Sequence, residues 1–247
     1  MDRIAVISDI HGNWPACEAV LEDIASRGIS HVFCLGDLIG KGPSPCEVLD
    51  AIRQHCGVVV RGNWDELVVS IADELNFSWQ AERLGTERVQ YLAQLPFHYD
   101  FKMSGRRIRL VHASPQSVHH RVQPWDEPEK RLAMFDPLAE EHGKDAFSPD
   151  VVGYGDVHNA FIQHFQGKTL FNVGSVGNPL DITQASYCIL EGSMGEEQAA
   201  PFSIHFVRVP YDIELAVKQA EEADVPSLSY YIRELRTGIY RGIQDLD

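Results

Sequence analysis

The chain has 247 residues, 44% of them hydrophobic, and a net charge of −15 from 36 acidic against 21 basic residues. That length and apolar content suit one large α/β domain with a sizeable core. The acidic surface repels polyanions and argues against a stable duplex-DNA or membrane-surface binder, while a metal site that reverses the sign locally still admits a phosphorylated substrate.

The start, MDRIAVISDI, reads as a strand and not as a secretion signal, and no apolar run is long enough to span a membrane. Within it, IAVIS (4–8) is a short apolar run of the buried-strand kind. Asn13 is placed to cap a helix with Pro15 in its first turn. Cys17, Val20, Leu21 and Ile24 then fall at i, i+3, i+4 and i+7, and Gly28 ends the helix. HVFCL (31–35) is a second strand, and Ser44 and Pro45 open a second helix with Val48, Leu49 and Ile52 inward. GVVV (57–60) is a third strand, and Leu67, Val68 and Ile71 mark a third helix from Asp65 onward. This alternation with short loops predicts a parallel sheet with right-handed crossovers.

The second half changes character. RIRLVH (107–112), VVGYG (151–155), TLFNVG (169–174), SYCIL (186–190) and SIHFVRV (203–209) read as strands spaced by loops, which predicts a second, mixed or antiparallel sheet packed on the first. Residues 77–100 and 113–150 read as helix-containing insertions, and 212–236 as amphipathic helix within a C-terminal tail, 212–247. One domain over 1–247 is expected. The five cysteines, Cys17, Cys34, Cys46, Cys56 and Cys188, lack C-x-x-C spacing and read as reduced thiols of a cytoplasmic protein.

In open α/β sheets ligands bind beyond the carboxyl ends of strands, and there the chemistry-bearing residues fall. Asp9 and His11 come after the first strand, Gly36-Asp37 after the second and Gly62-Asn63 after the third. His112 closes RIRLV, and Asp156 and His158 succeed VVGYG. Carboxylate, imidazole and amide oxygen together suit manganese, iron or zinc. Each piece alone has a plainer reading, Gly-Asp as a turn or Asp-x-His as a cap beside a hydrogen-bonded histidine. The conjunction does not, because carboxylates gathered without a cation repel one another.

The series resembles the calcineurin-like metallophosphoesterase superfamily, whose motifs run D-x-H, G-D, G-N-H-D/E, H and G-H-x-H. ISDIHGNWPACEAVLEDI and GSVGNP look most like its bacterial branch of small phosphodiesterases and diadenosine-tetraphosphatase relatives. The resemblance implies an α/β fold of two packed, mainly mixed sheets flanked by helices, a four-layer α/β/β/α sandwich. It implies two divalent ions, manganese or iron, with zinc, magnesium and nickel as alternatives. Asp9, His11, Asp37 and His158 would hold the first ion, with Asp37 bridging, and Asn63, His112 and Asp156 would complete the second. Asp37, Asn63 and His112 would stand at the reacting centre, where a hydroxide shared by the ions attacks phosphorus in line. The implied substrate is a small phosphodiester or dinucleotide polyphosphate, without a stable nucleic-acid or membrane partner and with self-association left open.

Two positions depart from the family pattern. Trp64 stands where the family often has the histidine of G-N-H-D, and indole offers one N–H donor but no proton transfer at ordinary pH. It is either a packing residue or a substrate contact that stacks on a base or donates one hydrogen bond. Asp156 replaces the first histidine of G-H-x-H, which shifts the expected preference toward manganese or iron over zinc; the alternative is that it points away and the second ion binds weakly. Arg61 is either a phosphate contact or part of a surface ion pair, and Asn13 a helix cap that also faces the substrate. His119 and His120 reach the pocket or stay solvated, and Trp14 and Trp125 bind a base or pack in the core. Gly174-Ser175-Val176-Gly177 is a tight turn near the site and not a P-loop. Two other functions stand beside the diesterase reading: a phosphomonoesterase, including one of Ser/Thr protein phosphatase type, and a non-catalytic metal or nucleotide binder.

Overall fold

The structure, a computed structural model, describes residues 1–70, 75–139, 141, 143 and 147–243. Ile71 of the expected third helix, several positions of the 113–150 insertion and residues 244–247 of the tail lie outside the described residues.

β1 (Asp2–Ile7) runs through a loop into α1 (Trp14–Ser26), whose first turn is capped by Asn13 accepting from the Ala16 N–H. β2 (His31–Cys34), α2 (Pro45–His55), β3 (Val58–Val59), α3 (Asn63–Ser70) and α4 (Leu75–Ala93) come next. β4 (His98–Met103) and β5 (Arg106–Val111) form a hairpin. The only α-helix described in the 113–150 insertion is the short α5 (Pro128–Leu132). Then come β6 (Val151–Tyr154), β7 (Ala160–Phe165), β8 (Lys168–Val173), β9 (Ala185–Gly192) and β10 (Ser203–Val209), and the chain ends on α6 (Ile213–Ala223) and α7 (Leu228–Thr237).

The strands make two five-stranded mixed sheets, in the orders β10-β9-β1-β2-β3 and β4-β5-β6-β8-β7. β1, β2 and β3 are parallel neighbours, as the strand–helix alternation predicts. Two expectations need correction. SYCIL and SIHFVRV do not join the second sheet: β9 pairs antiparallel with β1 and carries β10 with it, so β1 becomes a central strand. The second sheet also gains two strands beyond those expected, β4 and β7. Both lie at its edges and are half exposed, so their apolar signal is weak.

Period-two alternation sorts the strand residues into layers. Ile4 and Val6 of β1, Phe33 and Leu35 beside β2, Ile108 and Leu110 of β5 and Phe171 and Val173 of β8 meet between the sheets. Their neighbours Ala5, Ile7, Val32 and Cys34 face α1 and α2 through Val20, Ile24, Leu49 and Ile52. On the far side of the second sheet Val111, Val152 and Leu170 lie under Met134 and Phe135 of the insertion. This is the expected four-layer order. Each such fully buried aliphatic side chain contributes about 1.5–3 kcal/mol relative to exposure. The layers also set the site, because β1, β2, β5 and β6 all end at the seam between the sheets.

Candidate metal centre

The loops leaving β1, β2 and β6 are bent sharply. Asp9, His11, Asp37, Asp156 and His158 have φ between 50° and 62°, the left-handed region. Five of the ten non-glycine residues there among those described are thus expected ligands, so the strain is concentrated at this seam; each position costs about 1–3 kcal/mol and persists only where the surroundings over-determine it. The surroundings do so. The N–H groups of Ile10 and His11 both donate to the Asp37 carbonyl at 2.9 Å, which ties the β1 loop to the β2 loop. The Ser175 hydroxyl donates to the Asp9 carbonyl at 2.7 Å, as does the Gly177 N–H at 3.0 Å, so the 174–177 turn braces the first ligand.

Asp65 is the grip that motif reading misses, although it stands in the G-N-W-D stretch itself. It is fully buried and accepts from the N–H groups of Asp37 (2.8 Å), Leu38 (3.0 Å) and Gly62 (2.9 Å). Gly62 itself must lack a side chain, since a Cβ there would fall on the Asp37 carboxylate and its backbone nitrogen. Gly62→Ala is therefore expected to displace Asp37 and to lower stability by about 2–4 kcal/mol, read as a lower thermal midpoint together with reduced metal uptake.

The side chains converge. The Nε2 atoms of His11 and His158 lie 3.2 Å apart, and His158 Nε2 is 3.3 Å from Asp9 Oδ1. Asp37 spans the cluster, with Oδ2 3.5 Å from His11 Nε2 and Oδ1 3.5 Å from His112 Nε2. Asn63 Oδ1 lies 2.8 Å from His112 Nε2. Asp9, His11 and His158 form one set of closely spaced donor atoms, and Asp9, Asp37 and His112 another.

Each histidine is aimed by a backbone carbonyl that takes its Nδ1 proton. His11 donates to Ile39 (3.1 Å), His112 to Leu35 (2.8 Å) and His158 to Asn178 (2.5 Å). With Nδ1 so committed, Nε2 of His11 and His158 presents a lone pair to the centre, the arrangement that supporting carbonyls give metal ligands. Asp9 Oδ1 is buried without a hydrogen-bond donor among the described residues. Lone pairs facing one another beside an orphaned carboxylate oxygen are what a cation satisfies, so this donor set fits two divalent ions of the kind that take nitrogen and oxygen together.

The electrostatics agree. Burial works to raise the Asp9 carboxyl, but His158, His112 and His11 outweigh it and hold it below the usual carboxylate range. Burial pushes Asp37 well above that range against the pull of His112. Burial, Lys41 and His158 keep His11 well below the imidazole range, hence neutral. Burial would also lower His112, yet Asp37, Asp9 and Asp156 lift it to about 9. Its Nε2 faces Asn63 Oδ1, and a divalent ion bound there would compete with a proton for that nitrogen.

Asp156 points into the site, but its carboxylate is held bidentately by Arg121, at 2.9 Å from both Nε and Nη2, and lies 4.0 Å from His112 Nε2. Trp64 donates its backbone N–H to Asp37 Oδ1 at 2.8 Å. Its ring packs on Gly40 and edge-on to His11, with centroids 5.7 Å apart, while still lining the pocket. Asn13, expected to double as a substrate contact, is fully buried with Oδ1 on the Ala16 N–H and Nδ2 on the Gly177 carbonyl, so it is a cap and a brace. Arg61 pairs with Glu66 at 3.4 Å, and His119 donates to the same carboxylate at 2.9 Å. His120 bonds Ser114. Trp14 packs on the core, whereas Trp125 is 72% exposed at the pocket rim, which corrects its core reading.

Beside the centre lie two adjoining hollows of about 200 and 160 Å³ that share Lys41, Arg121, Asp156, His158 and Tyr240. Lys41 and the C-terminal Tyr240 and Arg241 carry no sequence signal of a site: Lys41 sits past the G-D motif in a plain glycine loop, and the others end an amphipathic tail. Fully buried Glu234 of α7 receives Arg241 Nε at 2.8 Å and Nη2 at 3.0 Å, with Lys41 Nζ 3.5 Å away. Burial opposes its charge, but Arg241 and Lys41 hold its carboxyl at about 2, down from 4.5. A carboxyl depressed in the folded state stabilises above its unfolded value and loses that contribution as pH falls through the folded one. About 2–3 kcal/mol should thus be present above pH 4.5 and gone near pH 2. Glu234→Gln should flatten this acid limb in thermal melts.

Residues 2–195 match the calcineurin-like phosphoesterase superfamily domain, and the chain belongs to that family. It is 32% identical over 248 residues to the uncharacterized protein MJ0912 of Methanocaldococcus jannaschii, covering 90% of this chain and 93% of that one. It is also 32% identical to phosphodiesterase YfcE of Escherichia coli over 101 residues, 36% of this chain and 55% of the relative. Among solved structures, a metallophosphoesterase from Sphaerobacter thermophilus superposes with a TM-score of 0.75 at 25% identity, covering 96% of this chain and 99% of that one. Protein PH1004 from Pyrococcus horikoshii superposes at 0.77 with 22% identity, covering 95% and 98%.

Proposed function

We propose that this protein is a metal-dependent phosphoesterase that hydrolyses a small phosphodiester or a dinucleotide polyphosphate. The observation that carries the reading is the convergence of three carbonyl-anchored histidines on Asp9 and Asp37 at one buried seam. Asp9, His11, Asp37 and His158 would hold one ion, and Asp37, Asn63, His112 and Asp156 the other; such ions, when bound, supply Lewis acidity and make water acidic enough to ionise near neutral pH. Manganese or iron suits the carboxylate-rich set best. Asp37, with one oxygen near His11 and the other near His112, would be the ligand common to both ions, and Asn63 and His112 would face the reacting phosphate from the second. The hollow that Lys41, Trp64 and Tyr240 line has a volume of only about 160 Å³, which favours a compact substrate over a phosphopeptide or nucleic acid. The partial likeness to a phosphodiesterase supports the diester preference. No described helix is long and apolar enough to cross a membrane.

The test is hydrolysis by the manganese-loaded chain. Cleavage of bis(p-nitrophenyl) phosphate supports the proposal, cleavage of p-nitrophenyl phosphate alone points to a monoesterase, and inertness toward both sinks it in favour of a metal or nucleotide binder. Trp64 supplies a finer check. Trp64→His should raise turnover of an alkyl ester by about 10-fold or more and leave an activated aryl ester nearly unchanged, because only the alkoxide needs a proton. No change on either ester would remove leaving-group protonation from the account of this site.

A further inference from the structure

In a chain with 15 more acidic than basic residues, three cations line one hollow next to the ligand cluster: Lys41, Arg121 and Arg241. Arg121 is spent on Asp156. Lys41 and Arg241 share the single carboxylate of Glu234. Lys41 is held firmly in place. Its side chain is 10% exposed, it donates to the Asn178 side chain as well as lying near Glu234, and its backbone has φ 43°. Asn178 is the residue whose carbonyl holds His158 Nδ1, so the ammonium is rigidly indexed to the centre. Arg241 follows α7, with its Nε and Nη2 on Glu234, and a guanidinium has further N–H donors beyond these two atoms. Burying a carboxylate to hold two cations in place is costly unless the cations serve a purpose.

We propose that Lys41 and Arg241, bracketed by Glu234, form an anion subsite that binds a second phosphoryl group, so that the substrate carries two phosphoryl groups close together. This rests on the phosphoesterase reading and narrows it from an isolated diester to a polyphosphate ester. Charge-assisted N–H···O bonds to phosphate are about twice as strong as neutral ones, and the subsite supplies them from two side chains.

The test is calorimetric titration of the manganese-loaded full chain with methylphosphonate and methylenediphosphonate, which are not hydrolysed. The wild type should bind the diphosphonate at least about tenfold more tightly. Lys41→Met and Arg241→Gln should each reduce that preference to less than about threefold, whereas Lys41→Arg should retain it. Arg241 is on the accessible wall, so its variant answers even if Lys41→Met fails to fold. A wild type without preference overturns the proposal, and so does a preference that both variants keep, since it would then come from the ions alone. The same preparations assayed on bis(p-nitrophenyl) phosphate separate the two readings: cleavage without diphosphonate preference removes the subsite and leaves the esterase standing.

Discussion

Asp37→Asn should take up at most one divalent ion per chain, lose at least about 100-fold in phosphoesterase turnover, and yet melt higher than the wild type when both are metal-free. The activity loss comes from position. Asp37 reaches His11 with one oxygen and His112 with the other, and even outer-shell partners of metal ligands cost about 10–100-fold. The stability gain comes from burial, which pushes the Asp37 carboxyl well above the usual range. A carboxyl raised in the folded state costs stability once pH exceeds its unfolded value. Asparagine is nearly isosteric, can still accept the Trp64 N–H through Oδ1, and carries no charge to desolvate. The gain should be present at pH 7 and smaller at pH 4, where the wild-type carboxyl is protonated in the folded state and partly so in the unfolded one. Elemental analysis after manganese loading and paired melts at the two pH values check it. Two ions retained per chain would end the assignment of Asp37 as the shared ligand.

Asp65→Ala should be the most damaging change outside the ligand set. The carboxylate is fully buried and holds three N–H groups, on Asp37, Leu38 and Gly62. Alanine orphans all of them at about 1–3 kcal/mol each, and the partial relaxation of two loops brings the expected total to about 3–5 kcal/mol. The β2 and β3 ends would then drift apart, taking Asp37 away from Asn63, so metal affinity should fall with stability. Asp65→Asn should be intermediate, since the amide keeps one accepting oxygen but turns an NH₂ toward a donor. Chemical denaturation of the three proteins should rank them wild type, Asn, Ala; an alanine variant as stable as the wild type would mean that the loops are held elsewhere.

The centre is legible in the sequence because metal chemistry restricts residue type. Asp9, His11, Asp37, Asn63, His112, Asp156 and His158 each stand at the carboxyl end of an apolar run; Asp9, His11, Asp37, His112 and His158 form the two close donor sets, Asn63 lies against His112, and Asp156 borders them in the grip of Arg121. Asp65 is in view but silent, because a carboxylate that accepts three backbone bonds looks the same in sequence as a solvated one. Arg121 and Glu234 give no sign at all: one lies in a loop without periodicity, the other on a helix whose pattern says only which face is buried. Trp64 stands out for its departure from the family motif, yet only its contacts with Gly40 and His11 show that it packs as well as lines.

Period and punctuation along the chain determined the alternating elements of the first half and the caps at Asn13 and Gly28, since these depend on neighbours within a few residues, and the residue types at the strand ends pointed to the candidate donors. Tertiary structure alone decided that β9 and β10 would flank β1 and not the second sheet, that Arg121 would claim Asp156, and that the C-terminal Arg241 would meet Lys41 across Glu234. Strand pairing and buried ion pairs are chosen by which surfaces remain to be covered once the core has closed, and that is a property of the whole packed chain and not of any short stretch of it.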